Sequence, residues 1–355
     1  MINEIKISNY RCYKSLTIKD LGRINIIVGE NGSGKTALLE ALMLPGNNPQ
    51  TALQLRAWRN MPAAPFLQNK AIPDSPWKDL FYQFSENNSI DISLIGSGND
   101  HRSLKIYLKP PDTNQVLLLD PKSATESAAP PPLIFEEKDG NGTLYTQTVT
   151  LQGGGGFQIT GHNPPGPPIA AYGAAPTQGG QQVNALMFSE LNRQNGLKSV
   201  TEALQRVFPQ VDNLSLEYVA INLPPEIYCS VPNIPIKIPI GLVSNGISKL
   251  LSMLLQTCYV PNGVCLIDEI ENGFYYKALP KMWEVVTYLC EQCNVQLFAS
   301  THSEECLKYL EPILAKKPDE FRLLRIKTLE NNEHTVKVFG GKDIAAALET
   351  GTEIR

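Results

Sequence analysis

The sequence lacks long apolar runs, and its charges nearly cancel. No stretch of about 18 consecutive apolar residues occurs, so no membrane-spanning helix is predicted. The N-terminal MINEIKISNY has neither the basic region nor the apolar core of a secretory signal. Lys and Arg together number 31 against 35 Asp and Glu, a net charge of −4, which gives no global attraction for nucleic acid. We therefore expect a soluble cytoplasmic protein with no membrane partner.

Histidine is also scarce, and the cysteines follow no regular spacing. The seven cysteines are odd in number and form no regular framework, which favours a reducing compartment over a disulfide scaffold. Cys290 and Cys293 make one CxxC pair, but no second pair follows at zinc-finger spacing. A coincidence at a helix end is therefore favoured over a metal site. One of the four histidines, His302, follows a predicted buried strand.

The chain has room for one large domain with an insertion. Residues 1–44 predict strand, turn, strand, loop and helix. INIIVG at 24–29 is a continuous β-branched run, typical of a strand buried on both faces, and TALLEALML at 36–44 is apolar almost all round. From 45 to 183 the chain is rich in Pro, Gly, Asn and Ser, with short alternating pieces that predict β-hairpins. We interpret 45–183 as an inserted β-rich lobe, and 1–44 and 184–355 as two parts of one α/β core.

Helical and strand patterns alternate again in the last part of the chain. Helices are predicted at 184–193, 198–207 and from Pro280 to about Cys293; strands are predicted within 216–242, at 263–269 and at 295–301, before a closing hairpin of FRLLRIK and HTVKVF.

GENGSGKT at 29–36 matches GxxxxGK[ST] and lies between the predicted buried strand and helix. Glycines let the backbone amides turn towards phosphate groups, and the positive helix end adds to the anion site. Lys35 is predicted to reach the β- and γ-phosphates, and Thr36 to bind Mg²⁺. This context favours a nucleotide loop over a plain glycine-rich turn. The predicted nucleotide contacts are Asn31, Gly32, Ser33, Gly34, Lys35 and Thr36.

Two acidic residues follow the next buried strand, in CLIDEIEN. At the end of a parallel strand, Asp268 can hold Mg²⁺ opposite Thr36. Glu269 points elsewhere because successive strand residues alternate, which suits a base that polarises the attacking water. A solvated acidic turn is the alternative, and the phosphate-binding loop (P-loop) at 29–36 in the same chain favours the catalytic interpretation.

FASTHS ends a further buried strand, at the edge where parallel strands deliver ligand-binding residues. We predict that His302 contacts the γ-phosphate, although a lone histidine is more often structural. A Ser or Thr of this stretch is also expected to cap the next helix, with Glu304 available for a capping box from Thr301.

SNGISKLLSMLL predicts a helix that begins at Ser244. An N-terminus with Ser244, Asn245 and Gly246 offers backbone amides to an anion. Because Lys35 is already predicted to contact the near side of the γ-phosphate, this helix end is expected to bind the nucleotide of another subunit. A capped core helix without this role is the alternative.

The order of these motifs along the chain resembles the ATP-binding-cassette type of ATPase: GxxxxGKT comes first, then the SxG helix, then DE and finally THS. More narrowly, they look like the AAA/RecF/SMC-like branch that includes OLD-family ATPase domains. The opening ISNYRCYKSL is similar to the N-terminal strand pair of that branch, which adds Arg11 as an implied nucleotide contact. The resemblance implies an α/β P-loop NTPase fold of ABC-ATPase type, a mixed sheet core with helices, here carrying the inserted lobe.

The resemblance also implies ATP rather than GTP, Mg²⁺, and a homodimer or higher homo-oligomer with ATP sandwiched between two heads. Glu269, His302 and Lys35 would then be catalytic, and Ser244 and Gly246 would act in trans. Heads of this kind often work beside a separately encoded effector, commonly a nuclease, in bacterial defence against phage.

A RecF-type protein that acts directly on DNA in repair or recombination is the alternative function. A local cluster of basic and aromatic residues favours it, and the acidic residues nearby count against it. The cluster consists of Arg56, Trp58, Arg59, Lys70, Trp77 and Lys78. A transporter subunit is less favoured because LSGGQ is missing, and a one-site kinase because it would not need Ser244 or His302.

Overall fold

A computed structural model describes residues 1–52, 55, 77–96, 101–109, 130–152, 156–165, 169–172, 180–220 and 223–351. Its strands are β1 Ile2–Tyr10, β2 Tyr13–Lys19, β3 Ile24–Val28, β4 Ile90–Gly96, β5 His101–Leu108, β6 Leu133–Lys138, β7 Leu144–Leu151, β8 Phe157–Gly161, β9 Ile169–Tyr172, β10 Asp212–Glu217, β11 Glu226–Ser230, β12 Ile238–Pro239, β13 Val264–Ile267, β14 Gln296–Ser300, β15 Phe321–Thr328 and β16 His334–Gly340. Its α-helices are α1 Lys35–Met43, α2 Gly180–Arg193, α3 Leu197–Val207, α4 Ile240–Val243, α5 Asn245–Tyr259, α6 Leu279–Gln292, α7 Glu304–Lys308, α8 Glu311–Leu314 and α9 Gly341–Thr350.

The central sheet has six strands in the order β16-β15-β3-β14-β13-β9. Strand β3 lies between β14 and β15 and is parallel to both, and β13 pairs in parallel with β14 and β9. Only the edge strand β16 runs antiparallel to its neighbour. Because β3, β13 and β14 are parallel, their carboxyl ends meet at one edge of the sheet. These ends precede the P-loop, the DE pair (Asp268 and Glu269) and the THS stretch (301–303), respectively.

Both faces of this sheet are covered, which explains why β3, β13 and β14 are buried along their whole length and mostly apolar. Ile24, Ile26 and Val28 pack with α2, α3, α5 and α6, whereas Ile27 packs with α1 and the second sheet. The alternation of β3 between two cores follows from the two-residue period of a strand. The arrangement confirms the predicted fold class, an α/β P-loop NTPase fold of ABC-ATPase type with a mixed sheet core.

The second sheet is antiparallel, in the order β2-β1-β4-β5-β6-β7-β8. Strand β4 pairs directly with β1, with Ile5 opposite Leu94. Strands β4 to β8 of the 45–183 segment therefore extend a sheet that begins in residues 1–44, rather than forming a sheet of their own, and β9 of the same segment joins the central sheet beside β13. The division of the chain at 44/45 and 183/184 stays a prediction.

Three local predictions need correction. Residues 240–243 form the short helix α4, not a strand, because β12 ends at Pro239 after two residues. Helix α9 was not predicted, although Asp343 accepts the N–H of Gly340 at its start and Gly351 ends it in a left-handed conformation. Trp77 is 1% exposed and packs against Phe157, with ring centroids 5.5 Å apart. It therefore belongs to the core and cannot stack on a base.

Among the helices that the structure describes, none combines the length and the apolar character needed to cross a membrane.

Candidate nucleotide site

The P-loop connects β3 to α1, and two of its glycines are required by close packing. Gly29 has φ 149°, and a Cβ there would lie 2.5 Å from the carbonyl oxygen of Ile326. Gly34 has φ 103°, and a Cβ there would lie 2.6 Å from the hydroxyl of Tyr13. Any other residue would combine a clash with a strained backbone. Gly32, with φ 79°, has open space on its Cα.

Tyr13 on β2 fixes the end of the loop. Its hydroxyl donates to the carbonyl oxygen of Gly34 at 2.8 Å. The ring is fully buried, and burial raises the pKa of Tyr13 well above its ordinary value, so the phenol stays a neutral donor. The hairpin of β1 and β2 therefore supports the P-loop from the side of the second sheet.

Lys35 is 5% exposed, and its Nζ donates to the carbonyl oxygens of Gly29 and Glu30, each at 2.8 Å. Burial lowers the pKa of Lys35, while the charges of Asp268, Glu269 and Glu271 raise it. These charges show that the ammonium group lies in the field of the acidic residues that follow β13. The P-loop and the DE pair thus belong to one electrostatic site.

The pair formed by Thr36 and Asp268 joins the two motifs directly. Thr36 Oγ1 donates to Asp268 Oδ2 at 2.8 Å. Asp268 is 7% exposed, and its other oxygen, Oδ1, accepts from the hydroxyl of Ser300. A hydroxyl and a carboxylate at this spacing are the oxygen donors that Mg²⁺ prefers. The donor set therefore fits the predicted metal.

Glu269 leaves the strand in a left-handed conformation, with φ 49°. Its N–H donates to Ser300 Oγ at 2.8 Å, and its carbonyl oxygen accepts from Lys249 Nζ at 2.5 Å. Its Oε2 accepts from Asn272 Nδ2 at 3.1 Å. Non-glycine residues in this region are strained and often functional. Here two backbone contacts hold the strained residue beside Asp268.

His302 is held through its backbone, since its N–H donates to Glu271 Oε1 at 2.8 Å. The other carboxylate oxygen of Glu271 is buried and has no hydrogen-bond partner among the described residues. The predicted cap of α7 by Ser or Thr is confirmed for serine, whereas the capping box from Thr301 does not form. Ser303 Oγ, not Thr301, accepts from Cys306 N–H, and Thr301 Oγ1 accepts from the N–H of Ser303.

Helix α5 begins where the sequence predicted. Ser244 is its N-cap, and the Ser244 Oγ accepts from Ile247 N–H at 3.2 Å. Ser244 and Asn245 are exposed, whereas Gly246 is buried. A Cβ on Gly246 would lie 2.8 Å from the carbonyl oxygen of Gly273, so a glycine is needed for α5 to approach the loop after the DE pair. The exposed helix end is thus packed beside this molecule's own DE loop.

Lys249, one turn into α5, is buried at 7% exposure. Its ammonium group contacts the backbone of Glu269, as given above. Burial lowers the pKa of Lys249 to about 8, and the charges of Glu271, Glu269 and Asp268 partly oppose that shift. The helix that presents Ser244 is therefore tied to the DE pair by a buried cation.

Arg11 turns towards the protein interior. Its Nε lies 3.2 Å from Glu40 Oε2, and its Nη1 donates to the backbone oxygen of Asp79 at 2.8 Å. Glu40 on α1 is fully buried, so the ion pair braces the P-loop helix against the β1–β2 turn. None of these contacts involves residues 29–36, and the role of Arg11 as a nucleotide contact stays a prediction.

Sequence reasoning missed three residues of the site: Tyr13, Glu271 and Ser300. Tyr13 and Glu271 stand within the quoted stretches, but contacts between distant strands give them their positions. Ser300 immediately precedes the THS stretch, and the register that pairs Ile267 with Ala299 brings Ser300 beside Asp268. The sequence signal that could have identified Ser300 is its position as a polar residue at the end of a mostly apolar strand.

Replacing Ser300 by Ala is expected to raise the Mg²⁺ concentration for half-maximal ATP turnover about 10-fold, because supporting hydrogen bonds of this kind tune metal affinity. The hydroxyl orients Asp268 and holds the N–H of Glu269. Titration of turnover with Mg²⁺ measures the shift. Ser303→Ala is the matched control, since Ser303 caps α7 without touching Asp268. An equal shift in both variants would contradict this role.

Comparison with known sequences agrees with this geometry. A family model described as an AAA ATPase domain matches residues 1–126. An ATP/GTP phosphatase from Helicobacter pylori is 22% identical over 346 residues, which cover 89% of each chain. The DNA replication and repair protein RecF of Bacillus cytotoxicus is 46% identical over 41 residues, or 12% of this chain and 11% of that protein.

Two solved structures are also similar over most of their length. The SMC head bound to the C-winged helix domain of ScpA covers 96% of this chain and 97% of its own, with 12% identity and a TM-score of 0.48. The SMC head domain from Thermotoga maritima covers 95% and 98%, with 11% identity and a TM-score of 0.43. The matches to known sequences support an ATPase of the AAA and RecF class. The narrower resemblance to OLD-family domains stays a prediction.

Proposed function

We propose that the protein is an ATP-binding and ATP-hydrolysing switch that closes as a head-to-tail dimer around nucleotide. The observation that carries this proposal is the contact of Thr36 Oγ1 with Asp268 Oδ2 at 2.8 Å, which joins the P-loop to the DE pair. The H. pylori relative is named an ATP/GTP phosphatase, which supports hydrolysis as the reaction.

Each residue has a distinct task in this proposal. The P-loop amides and Lys35 hold the phosphates, and Thr36 and Asp268 hold Mg²⁺. When bound, Mg²⁺ neutralises the charge that develops on the phosphates. Glu269 accepts a proton from the attacking water. His302, placed by Glu271, contacts the γ-phosphate.

The other half of the site comes from a second copy. Ser244 and Asn245 are exposed at the start of a 15-residue helix, where backbone amides and the helix dipole favour an anion. The described hydrogen bonds of Ser244 stay within α5. We infer that this helix end binds the γ-phosphate held by the partner copy, and that hydrolysis reopens the dimer.

The solution mass of Glu269→Gln with and without ATP and Mg²⁺ tests the switch. Blocked hydrolysis is expected to trap an ATP-dependent dimer, and Ser244→Arg in the same chain is expected to abolish the dimer while ATP still binds. Ser199→Arg is the matched control, because Ser199 is an exposed serine on α3. A mass unchanged by ATP, with nucleotide bound, would contradict the dimeric switch.

A finer proposal concerns the output of the switch. The motifs account for one ATPase site, and the resemblance to OLD-type heads supports a separately encoded, nuclease-like effector in defence against phage. The purified chain is therefore expected to leave plasmid DNA intact in ATP and Mg²⁺. Cleavage by the chain alone would contradict an external effector.

Direct action on DNA is the second candidate, and the RecF likeness over 41 residues supports it. The burial of Trp77 removes one aromatic residue from the proposed DNA face, and Arg56, Trp58, Arg59 and Lys70 lie outside the described residues. Binding of duplex DNA that weakens steeply with salt would favour this candidate.

A further inference from the structure

Two thiols meet at the far ends of α5 and α6. Cys258 lies in the last turn of α5, and Cys293 is the residue that ends α6. Their sulfur atoms are 3.9 Å apart, although the residues are separated by 35 positions. Both side chains are partly exposed. Cys293 therefore contacts Cys258, whereas its CxxC neighbour Cys290 is fully buried.

The two thiols differ in acidity because they share a hydrogen bond. The contact with Cys258 lowers the pKa of Cys293 to about 7, against the effect of burial. The same contact and burial raise the pKa of Cys258. Burial also raises the pKa of Cys265 to about 12. Since the thiolate is the reactive form, the lowered pKa favours Cys293 over Cys258 as the nucleophile of the pair.

A metal site does not explain the pair. Among the residues that the structure describes, no group of three or more His, Cys, Asp or Glu side chains is arranged to hold a metal ion. A structural zinc site needs four ligands, and two thiols supply only half of that set. The arrangement instead has the features of a redox couple, with one acidic, accessible thiol beside a second thiol that can resolve it.

We propose that Cys258 and Cys293 are a reversible redox pair that a hydroperoxide converts into an intramolecular disulfide. The Cys293 thiolate attacks one peroxide oxygen, which forms the S–O bond of a sulfenic acid as the O–O bond breaks and the leaving oxygen is protonated to water or an alcohol. Cys258 then attacks the Cys293 sulfur, and its thiol proton leaves with the hydroxyl as water. The two thiols lose two electrons to the peroxide, and an external thiol reverses the reaction.

The geometry allows the bond with a small movement. A disulfide needs an S–S distance of about 2.05 Å, so the sulfur atoms must approach by roughly 2 Å, within reach of side-chain rotation. The two helices already pack in one core, through residues such as Leu254 and Val286. The bond would fasten the far end of the helix that presents Ser244 to α6. The proposal does not depend on ATP turnover.

Peptide mapping of the full chain tests the pair. The native protein is treated with a modest excess of hydrogen peroxide, remaining thiols are alkylated with iodoacetamide, and the digest is analysed without reductant. We expect a linked peptide that contains Cys258 and Cys293, lighter by two hydrogen atoms than the separate peptides and lost on treatment with dithiothreitol. In Cys258→Ser, Cys293 should instead be trapped by dimedone as a sulfenic acid.

The half-buried Cys12, which lies beside Gly34, provides the control. Cys12→Ser should form the linked peptide as fast as the unmodified chain. Alkylation of both Cys258 and Cys293 after peroxide would overturn the proposal. So would a linkage that joins two chains, or a sulfinic acid on Cys293 without the disulfide. The mapping of the unmodified sequence is decisive even where a serine variant folds poorly.

Discussion

Replacing Glu269 by Gln is expected to lower ATP turnover by at least about 100-fold, which is the contribution of a positioned general base. Gln has nearly the same shape, and its amide oxygen can still accept from Asn272 Nδ2. The contacts with Ser300 and Lys249 involve the backbone of Glu269 and persist. ATP affinity should therefore change little. Phosphate release at saturating ATP and Mg²⁺, with nucleotide binding measured separately, distinguishes the two effects.

Glu271→Gln is the matched control for this prediction. Glu271 is a carboxylate two residues away, and its Oε1 accepts from the backbone of His302. A glutamine keeps an acceptor oxygen there, so a smaller loss of turnover is expected than in Glu269→Gln. If Glu271→Gln removed turnover while Glu269→Gln retained it, Glu271 would be the base, and the assignment from the order of the motif would be wrong.

The parts of the site that follow from local rules were predictable from the sequence. A glycine-rich loop between an apolar strand and an apolar helix requires the positive φ angles found at Gly29 and Gly34. Ser244 caps α5 as the polar residue before an apolar helical run predicts. In each case the local pattern predicts the conformation, although the atom that excludes a side chain at Gly29 belongs to the distant Ile326.

The parts that depend on contacts between distant residues were not predictable. The hydrogen bond of Ser300 with Asp268 depends on the register of β13 and β14. Trp77 looked like a surface aromatic because its partner, Phe157, is 80 positions away. The pairing of β1 with β4 crosses the proposed insertion boundary and leaves no local trace. Strand pairing of this kind is decided by the packing of whole faces.

Replacing Lys249 by Met is expected to flatten the dependence of stability on pH above neutrality. Burial lowers the pKa of Lys249 in the folded chain to about 8, from 10.5 in the unfolded chain. Between these values the unfolded chain binds more protons than the folded chain, so the free energy of unfolding rises with pH. From about pH 7 to about pH 10 this rise is on the order of 2 kcal/mol for the one group.

The difference in unfolding free energy between the unmodified chain and Lys249→Met, measured by denaturant titration at both pH values, isolates this effect. Other titrating groups act equally on both proteins and cancel. The variant also loses the hydrogen bond to the carbonyl oxygen of Glu269, so its turnover should fall at every pH. Lys281→Met, at an exposed position on α6, should leave the pH dependence unchanged. Parallel curves for the unmodified chain and Lys249→Met would mean that the buried ammonium group is fully stabilised by the carboxylates of Glu271, Glu269 and Asp268. The contact of Lys249 with the DE pair would then be an ion pair that stabilises the folded state. It would not be a strained contact that binding to the partner copy's nucleotide could release.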